Sequence, residues 1–202
     1  MVDLPAHPTR AVKVLRGSRY DLFPFKEEDI SERYLGWLND PDVNRFLEIR
    51  FVHQTRETVL KYVRSFYADT EKYMWGIYPK GCSEPIGTAT LANIDRNHGS
   101  GGTGLMIGET AYWGKGASLE ALKLVAEFAF ETLGLHRLSA VSCAPNHGLS
   151  FTHKMFGYRL EGTLKRSLLL APGTYVDQFA WGMLAEEWRA RGRRGAGQGG
   201  RH

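Results

Sequence analysis

The chain has 202 residues, 43% of them hydrophobic and 24% charged, which is enough for one domain with a full core. Five of its arginines fall within residues 189–202, a stretch without acids; removing them takes the formal charge from +4 to −1, so a nucleic-acid role would rest on that tail alone. Cys82 and Cys143 are the only cysteines, which excludes a disulfide framework or a cysteine-rich metal site.

No apolar run reaches the length of a membrane span, and the N-terminus lacks the hydrophobic stretch of a secretory leader, so a cytoplasmic location is expected. Residues 12–25 carry Val12, Val14, Leu15, Leu22 and Phe23 around Gly17-Ser18, as a strand or a strand pair through a turn would. Ile30, Tyr34, Trp37 and Leu38 recur at helical spacing over 26–38, with Pro41 as the expected stop. A second helix is expected over 55–68, entered at Thr55 and presenting Val59, Tyr62, Val63 and Phe66 on one face. The period then changes to that of strands over 73–78, 86–94 and 103–108, separated by turn-rich segments, which reads as an antiparallel meander. A strongly amphipathic helix follows over 117–133, closed by Gly134. A strand over 137–143, a short helix over 148–156 and a hairpin of 158–170 with 174–184 across Pro172-Gly173 complete the body. Residues 189–202 are too polar and glycine-rich to pack and are expected to be disordered, leaving 1–188 as a single domain.

The segment from Gly104 to Leu133 carries the clearest chemistry. An apolar strand feeds Trp113-Gly114-Lys115-Gly116-Ala117-Ser118, and that turn opens the amphipathic helix. The first amides of a helix lack intrahelical partners and carry the positive end of its dipole, so they attract anions. Glycines at 114 and 116 let a pyrophosphate approach the backbone. An ATP-binding P-loop does not fit, because Gly108 lies one residue too far from Gly114-Lys115. A dinucleotide fold does not fit either, because the preceding strands form a meander rather than a βαβ unit.

The order of elements, together with Trp37-Leu-Asn-Asp-Pro41, Pro85-Ile-Gly87, Ile107-Gly108, residues 112–121, Gly134-Leu-His-Arg137, Asn146 with Gly157-Tyr158, Leu160-Glu-Gly162 and Tyr175-Val-Asp177, resembles the GNAT superfamily of acetyl-CoA-dependent acyltransferases. More narrowly, the chain looks like the branch containing the ribosomal-protein-alanine acetyltransferases and many amino-sugar acetyltransferases. The resemblance covers residues 15–188 and implies an α/β GNAT-like fold: a mixed central sheet with an antiparallel meander, a βαβ acetyl-CoA core, two N-terminal helices and a C-terminal hairpin. Acetyl-CoA is then the implied co-substrate, with no metal. Trp113, Gly114, Lys115, Gly116, Ala117 and Ser118 fall on the family's pyrophosphate loop, Trp113 replacing its usual Arg or Gln and Ser118 its last small residue. Met106, Ile107 and Gly108 would offer backbone hydrogen bonds to the pantetheine arm, and Asn146 would contact that arm or shape the following turn. An amide near Ile107 would hold the oxyanion. Cys143 lies in an apolar strand pattern, where thiols are inert, so direct transfer is expected rather than an acetyl-enzyme.

His153 stands where many members carry a tyrosine near the departing sulfur, so it is either the general acid, as an imidazolium, or a surface histidine. Leu149 falls where the family often has a serine, with Ser150 one place late. Glu109 is either a base acting through water or a solvated carboxylate. His53, Asp95, His98 and Glu48 are further candidates on loops expected to face the acceptor pocket. The loop Asn44-Arg-Phe-Leu-Glu-Ile-Arg-Phe51 resembles acceptor loops of polysaccharide-pathway members. Arg45 and Arg50 would engage phosphate, Phe46 and Phe51 would stack on a base or sugar, and Glu48 sits between them. The expected acceptor is a small-molecule amine, preferably an amino sugar or nucleotide-linked amino sugar; a protein N-terminus or antibiotic amine is the alternative. A non-catalytic CoA-binding module is the competing class, and a homodimer is compatible with the resemblance.

Overall fold

A computed structural model describes residues 13–69 and 71–197. Its centre is an eight-stranded sheet: β1 (Leu15–Arg16), β2 (Tyr20–Pro24), β3 (Tyr73–Pro79), β4 (Gly87–Asp95), β5 (Ser100–Ile107), β6 (Arg137–Cys143), β7 (Arg159–Ala171) and β8 (Thr174–Leu184), in the order β1-β2-β3-β4-β5-β6-β8-β7. Only β5 and β6 run parallel. They enclose α4 (Ala117–Glu127), which continues through a π-helical turn at Phe128–Thr132. This is the βαβ unit within an otherwise antiparallel sheet, as the sequence pattern implies.

The sheet separates two apolar layers. On one face Leu22, Trp75, Leu91 and Leu138 pack under Leu122 and Val125 of α4, joined by Phe156 of α5 (His147–Phe156). The opposite face carries α1 (Glu32–Asn39), α2 (Pro41–Asn44) and α3 (Arg56–Ala68), which bury Tyr34, Trp37, Val59, Val63 and Phe66 around Phe25 and Met74. β3 is therefore buried on both faces, and that is why it reads as a continuous apolar run. Thr55 caps α3, its hydroxyl accepting from Thr58 N while Thr55 N donates to Thr58 Oγ1. Tyr62, expected on the buried face of α3, is half exposed.

Three expectations are corrected. The helix expected over 26–38 is a 3-10 turn at Glu27–Asp29 followed by α1, capped by Ser31. Pro41 does not stop it: Asp40 does, and Pro41 opens α2, where its missing N–H costs nothing. β5 begins at Ser100, three residues before the expected strand, because Ser100–Gly102 pair with both β4 and β6. α6 spans Ala185–Gly197, anchored by Trp188 against Phe130 and Phe156 and by Arg189 on Glu131 at 3.2 Å. Residues 198–202 lie outside those described.

Candidate active site

β5 and β6 pair only from Ser100 to Gly102 against Arg137 to Ser139. Beyond that point β5 stays with β4 as far as Ile107 and β6 stays with β8 as far as Cys143, so the two strands part and leave a cleft between them. At its apex the Thr103 hydroxyl meets the Tyr158 hydroxyl at 3.0 Å. Burial pushes the Tyr158 phenol up, so it stays protonated.

Register decides which β5 groups face this cleft. Gly108 N donates to Ile86 O at 2.9 Å, and antiparallel pairing alternates from there. Met106 and Gly108 thus direct their backbone groups to β4, while Leu105 and Ile107 direct theirs to the open edge. Of the three residues expected to offer hydrogen bonds, Ile107 has the free edge, and Leu105 joins it. Trp113 reaches back and donates its indole N–H to Ile107 O at 2.8 Å, so the residue that replaces the usual Arg or Gln ties the loop to the strand end.

The loop closes on α4 at Gly116, which adopts φ +81° as the N-cap. The first intrahelical bond runs from Glu120 N to Gly116 O, leaving the amides of Ala117, Ser118 and Leu119 pointing out of the helix end. Gly114 also has positive φ, and a β-carbon there would meet open space, whereas one on Gly116 would stand 2.7 Å from Arg19 Nη2. Lys115 lies exposed beside Tyr112, its ammonium 5.7 Å from the ring centre. These features fit a pyrophosphate: unpaired amides, no β-carbon in the way and a guanidinium at the mouth. Across the cleft, Asn146 Oδ1 accepts from Leu149 N at 3.1 Å and caps α5. Leu149 is thus part of the cap, and Ser150 turns inward to Ser142, hydroxyl to hydroxyl at 3.0 Å.

His153 is 3% exposed, packed between the rings of Tyr158 and Trp181 at 5.3 and 5.6 Å, with Nδ1 lacking a partner. Burial lowers its pKa to about 4. The imidazolium expected there is therefore not held at neutral pH, and the surface alternative fails as well. Glu109 is engaged rather than solvated: Arg33 Nε and Trp37 Nε1 each donate to Oε1 at 2.9 Å. The Arg33 guanidinium holds its carboxyl below the usual range against the opposing effect of burial, which makes it a weaker base than an ordinary glutamate. Trp37 lies so close to Gly108 that any β-carbon would fall inside the indole, and α1 is thereby fastened to the end of β5. Burial also pushes the Cys143 thiol up, as an inert cysteine requires.

The acceptor-loop residues gather elsewhere on the same side. A cavity of about 750 Å³ lies between the α1–α3 connection and the tip of the β7–β8 hairpin, lined by Arg45, Phe46, Arg50, Phe51, His53 and Pro145 among others. Arg45 stands exposed over Phe46, 4.9 Å from the ring centre. Arg50 is committed: its guanidinium donates to Leu47 O and to Leu169 O, bridging the loop to β7, and it packs 4.2 Å over Phe51. Glu48 is exposed and lies 3.5 Å from Arg50. Asp95 and His98 form the β4–β5 turn at the far end of β5, about 20 Å from Ile107 along the strand. The sequence carried no signal for Arg19 beside Gly116, Leu105 on the open edge of β5 or the hairpin-tip residues Leu170–Pro172 in the cavity lining. Among the described residues no group of three His, Cys, Asp or Glu side chains could hold a metal, and no helix is long and apolar enough to cross a membrane.

The family model for the acetyltransferase (GNAT) domain matches residues 19–158. The chain belongs to the GNAT family. It is 25% identical over 180 residues to the uncharacterized N-acetyltransferase p20 of Bacillus licheniformis, covering 88% of this chain and 99% of that one. A spermidine N-acetyltransferase from Vibrio cholerae, solved with CoA and spermine, shares the fold at a TM-score of 0.75 and 16% identity, over 84% of this chain and 98% of that one. The ribosomal-protein-S5-alanine acetyltransferase of Vibrio fischeri does so at 0.71 and 20% identity, over 87% and 98%. The GNAT protein described here is accordingly an N-acetyltransferase, and the family uses acetyl-CoA.

Proposed function

We propose that this N-acetyltransferase transfers acetyl directly from acetyl-CoA to a small primary amine that also carries an anionic group, with a nucleotide-linked amino sugar as the preferred acceptor. The lining of the 750 Å³ cavity carries the reading: among the described residues it holds Arg45, Arg50 and His53 and no carboxylate. A polyamine, the acceptor named for the Vibrio cholerae enzyme, would need carboxylates there, and a phosphate would not. Arg45, exposed over Phe46, makes the anion contact, Arg50 walls the cavity, and Phe46 and Phe51 offer flat apolar surface to a base or sugar.

Acetyl-CoA supplies the activated acetyl group. The N–H group of Ile107 on the open edge of β5 is the donor for the carbonyl oxygen as it gains charge, worth about 3–4 kcal/mol, and the Leu105 N–H, about 7 Å back along the strand, is left for the pantetheine arm. Glu109 is a poor base in its ion pair, which favours an amine of low intrinsic pKa, such as one on a sugar ring. A screen of CoA release against nucleotide-linked amino sugars, free amino sugars, polyamines and peptides tests the assignment. Turnover confined to the anionic amines is expected; efficient polyamine or peptide acetylation with the nucleotide-linked sugars inert would overturn the acceptor and leave the family activity standing.

A further inference from the structure

The phosphate loop has a neighbour that no motif announces. Glu120, in the first turn of α4, has a side chain only 11% exposed and accepts from Arg19 N at 2.7 Å, Tyr20 N at 3.2 Å and the Ser18 hydroxyl at 3.0 Å. These bonds fasten the β1–β2 turn to the helix. The other carboxylate oxygen lies 3.4 Å from Arg19 Nε, which orients the guanidinium and leaves its outer amino groups toward Gly116.

We propose that Arg19 is a binding residue for the pyrophosphate of acetyl-CoA, clamping it from the β1–β2 turn against the α4 amides; this rests on the acetyl-CoA reading of the loop. A cation beside a helix N-terminus is opposed by the helix dipole, which here only the Glu120 carboxylate offsets, on the Nε side of the guanidinium. An anion there reverses the sign of both interactions, since the amides and the guanidinium then converge on one charge. The adjoining cavity of about 400 Å³ adds Lys123 to Arg19, while Arg16 in its lining is paired with Asp21 at 2.8 Å; of the carboxylates among the described lining residues, Glu120 is committed to the turn and Glu127 lies two helical turns further along α4. Arg19 is 62% exposed, so its contact is screened and modest.

Affinities of the full chain and of Arg19→Ala and Arg19→Lys for acetyl-CoA, 3′-dephospho-acetyl-CoA and acetyl-pantetheine, measured by calorimetry with competition for the weakest ligand, test this. Arg19→Ala should weaken both pyrophosphate ligands about five- to tenfold, with Arg19→Lys between it and the parent, and leave acetyl-pantetheine unchanged. Unchanged acetyl-CoA affinity in Arg19→Ala, or an equal loss for acetyl-pantetheine, would overturn the clamp. A loss confined to the ligand with the 3′-phosphate would overturn the pyrophosphate assignment. A parent chain that binds none of the three would overturn the cofactor reading, and the clamp with it.

Discussion

His153 ties pH to stability through a single buried ring. In the unfolded chain its imidazole titrates near 6.5, whereas burial among Tyr158 and Trp181 lowers the folded value to about 4. Between those values the unfolded state binds more protons, so stability is full above pH 6.5 and is lost as pH falls toward 4. The difference corresponds to about 3 kcal/mol in all, and to about 2 kcal/mol by pH 5. His153→Phe keeps a ring in the slot and removes the titration. In urea unfolding, the parent should lose about 2 kcal/mol more than the variant between pH 7.5 and pH 5, a difference of roughly 1 M in midpoint. Comparing slopes rather than absolute stabilities cancels any change in packing. Parallel slopes for parent and variant, or a folded-state titration of His153 near 6.5 by NMR, would refute the argument. The variant also tests catalysis: a histidine that is neutral at pH 7 cannot act as the imidazolium acid, so the acid and base limbs of kcat above pH 6 should survive His153→Phe.

Gly116→Asp places a negative charge at the α4 N-terminus and should abolish acetyl-CoA binding in calorimetry while circular dichroism remains that of the parent; undiminished affinity would sink the loop assignment. Glu120→Ala leaves the amides of Arg19 and Tyr20 without their acceptor and should cost about 2–4 kcal/mol in urea unfolding, whereas a loss under 0.5 kcal/mol would mean that water replaces the carboxylate. Arg45→Ala should raise KM for a nucleotide-linked amino sugar at least about tenfold with acetyl-CoA affinity unchanged, and an unchanged KM would remove Arg45 from the acceptor site.

The elements that the sequence announced are those whose burial is one-sided or complete. α3 and α4 show helical stripes because each packs one face on the sheet, and β3 is uniformly apolar because helices cover both of its faces. β5 hid its first three residues, Ser100-Gly101-Gly102, behind a composition typical of loops. Those small residues serve the crowded place where β5 pairs on both edges, so turn chemistry and close packing look alike in one dimension. At the other end of the chain, Trp188 anchors α6 by a tertiary contact that no tally of arginines and glycines contains.

The candidate site divides along a different line. The phosphate loop is legible because its chemistry belongs to the backbone, and a backbone that must approach an anion leaves glycine in the sequence. Side-chain roles are set by distant partners instead. Arg19 meets Glu120 across 101 positions and Arg50 meets Leu169 across 119, so neither the clamp nor the wall of the acceptor cavity has a local spacing to betray it. His153 is the sharpest case. Its distance from Asn146 in sequence matches that of a proton donor, yet spacing along a helix specifies only a direction, and ionisation is set by what lies in that direction. Here that is Tyr158 and Trp181, which exclude the water an imidazolium needs. Proton delivery to a departing thiolate must then come from water or from a group that is already protonated and neutral at pH 7. The Tyr158 hydroxyl, at the apex of the cleft, is such a group by charge. It is hydrogen-bonded to Thr103, however, and burial makes its proton hard to release, which leaves solvent entering the open cleft as the simpler source.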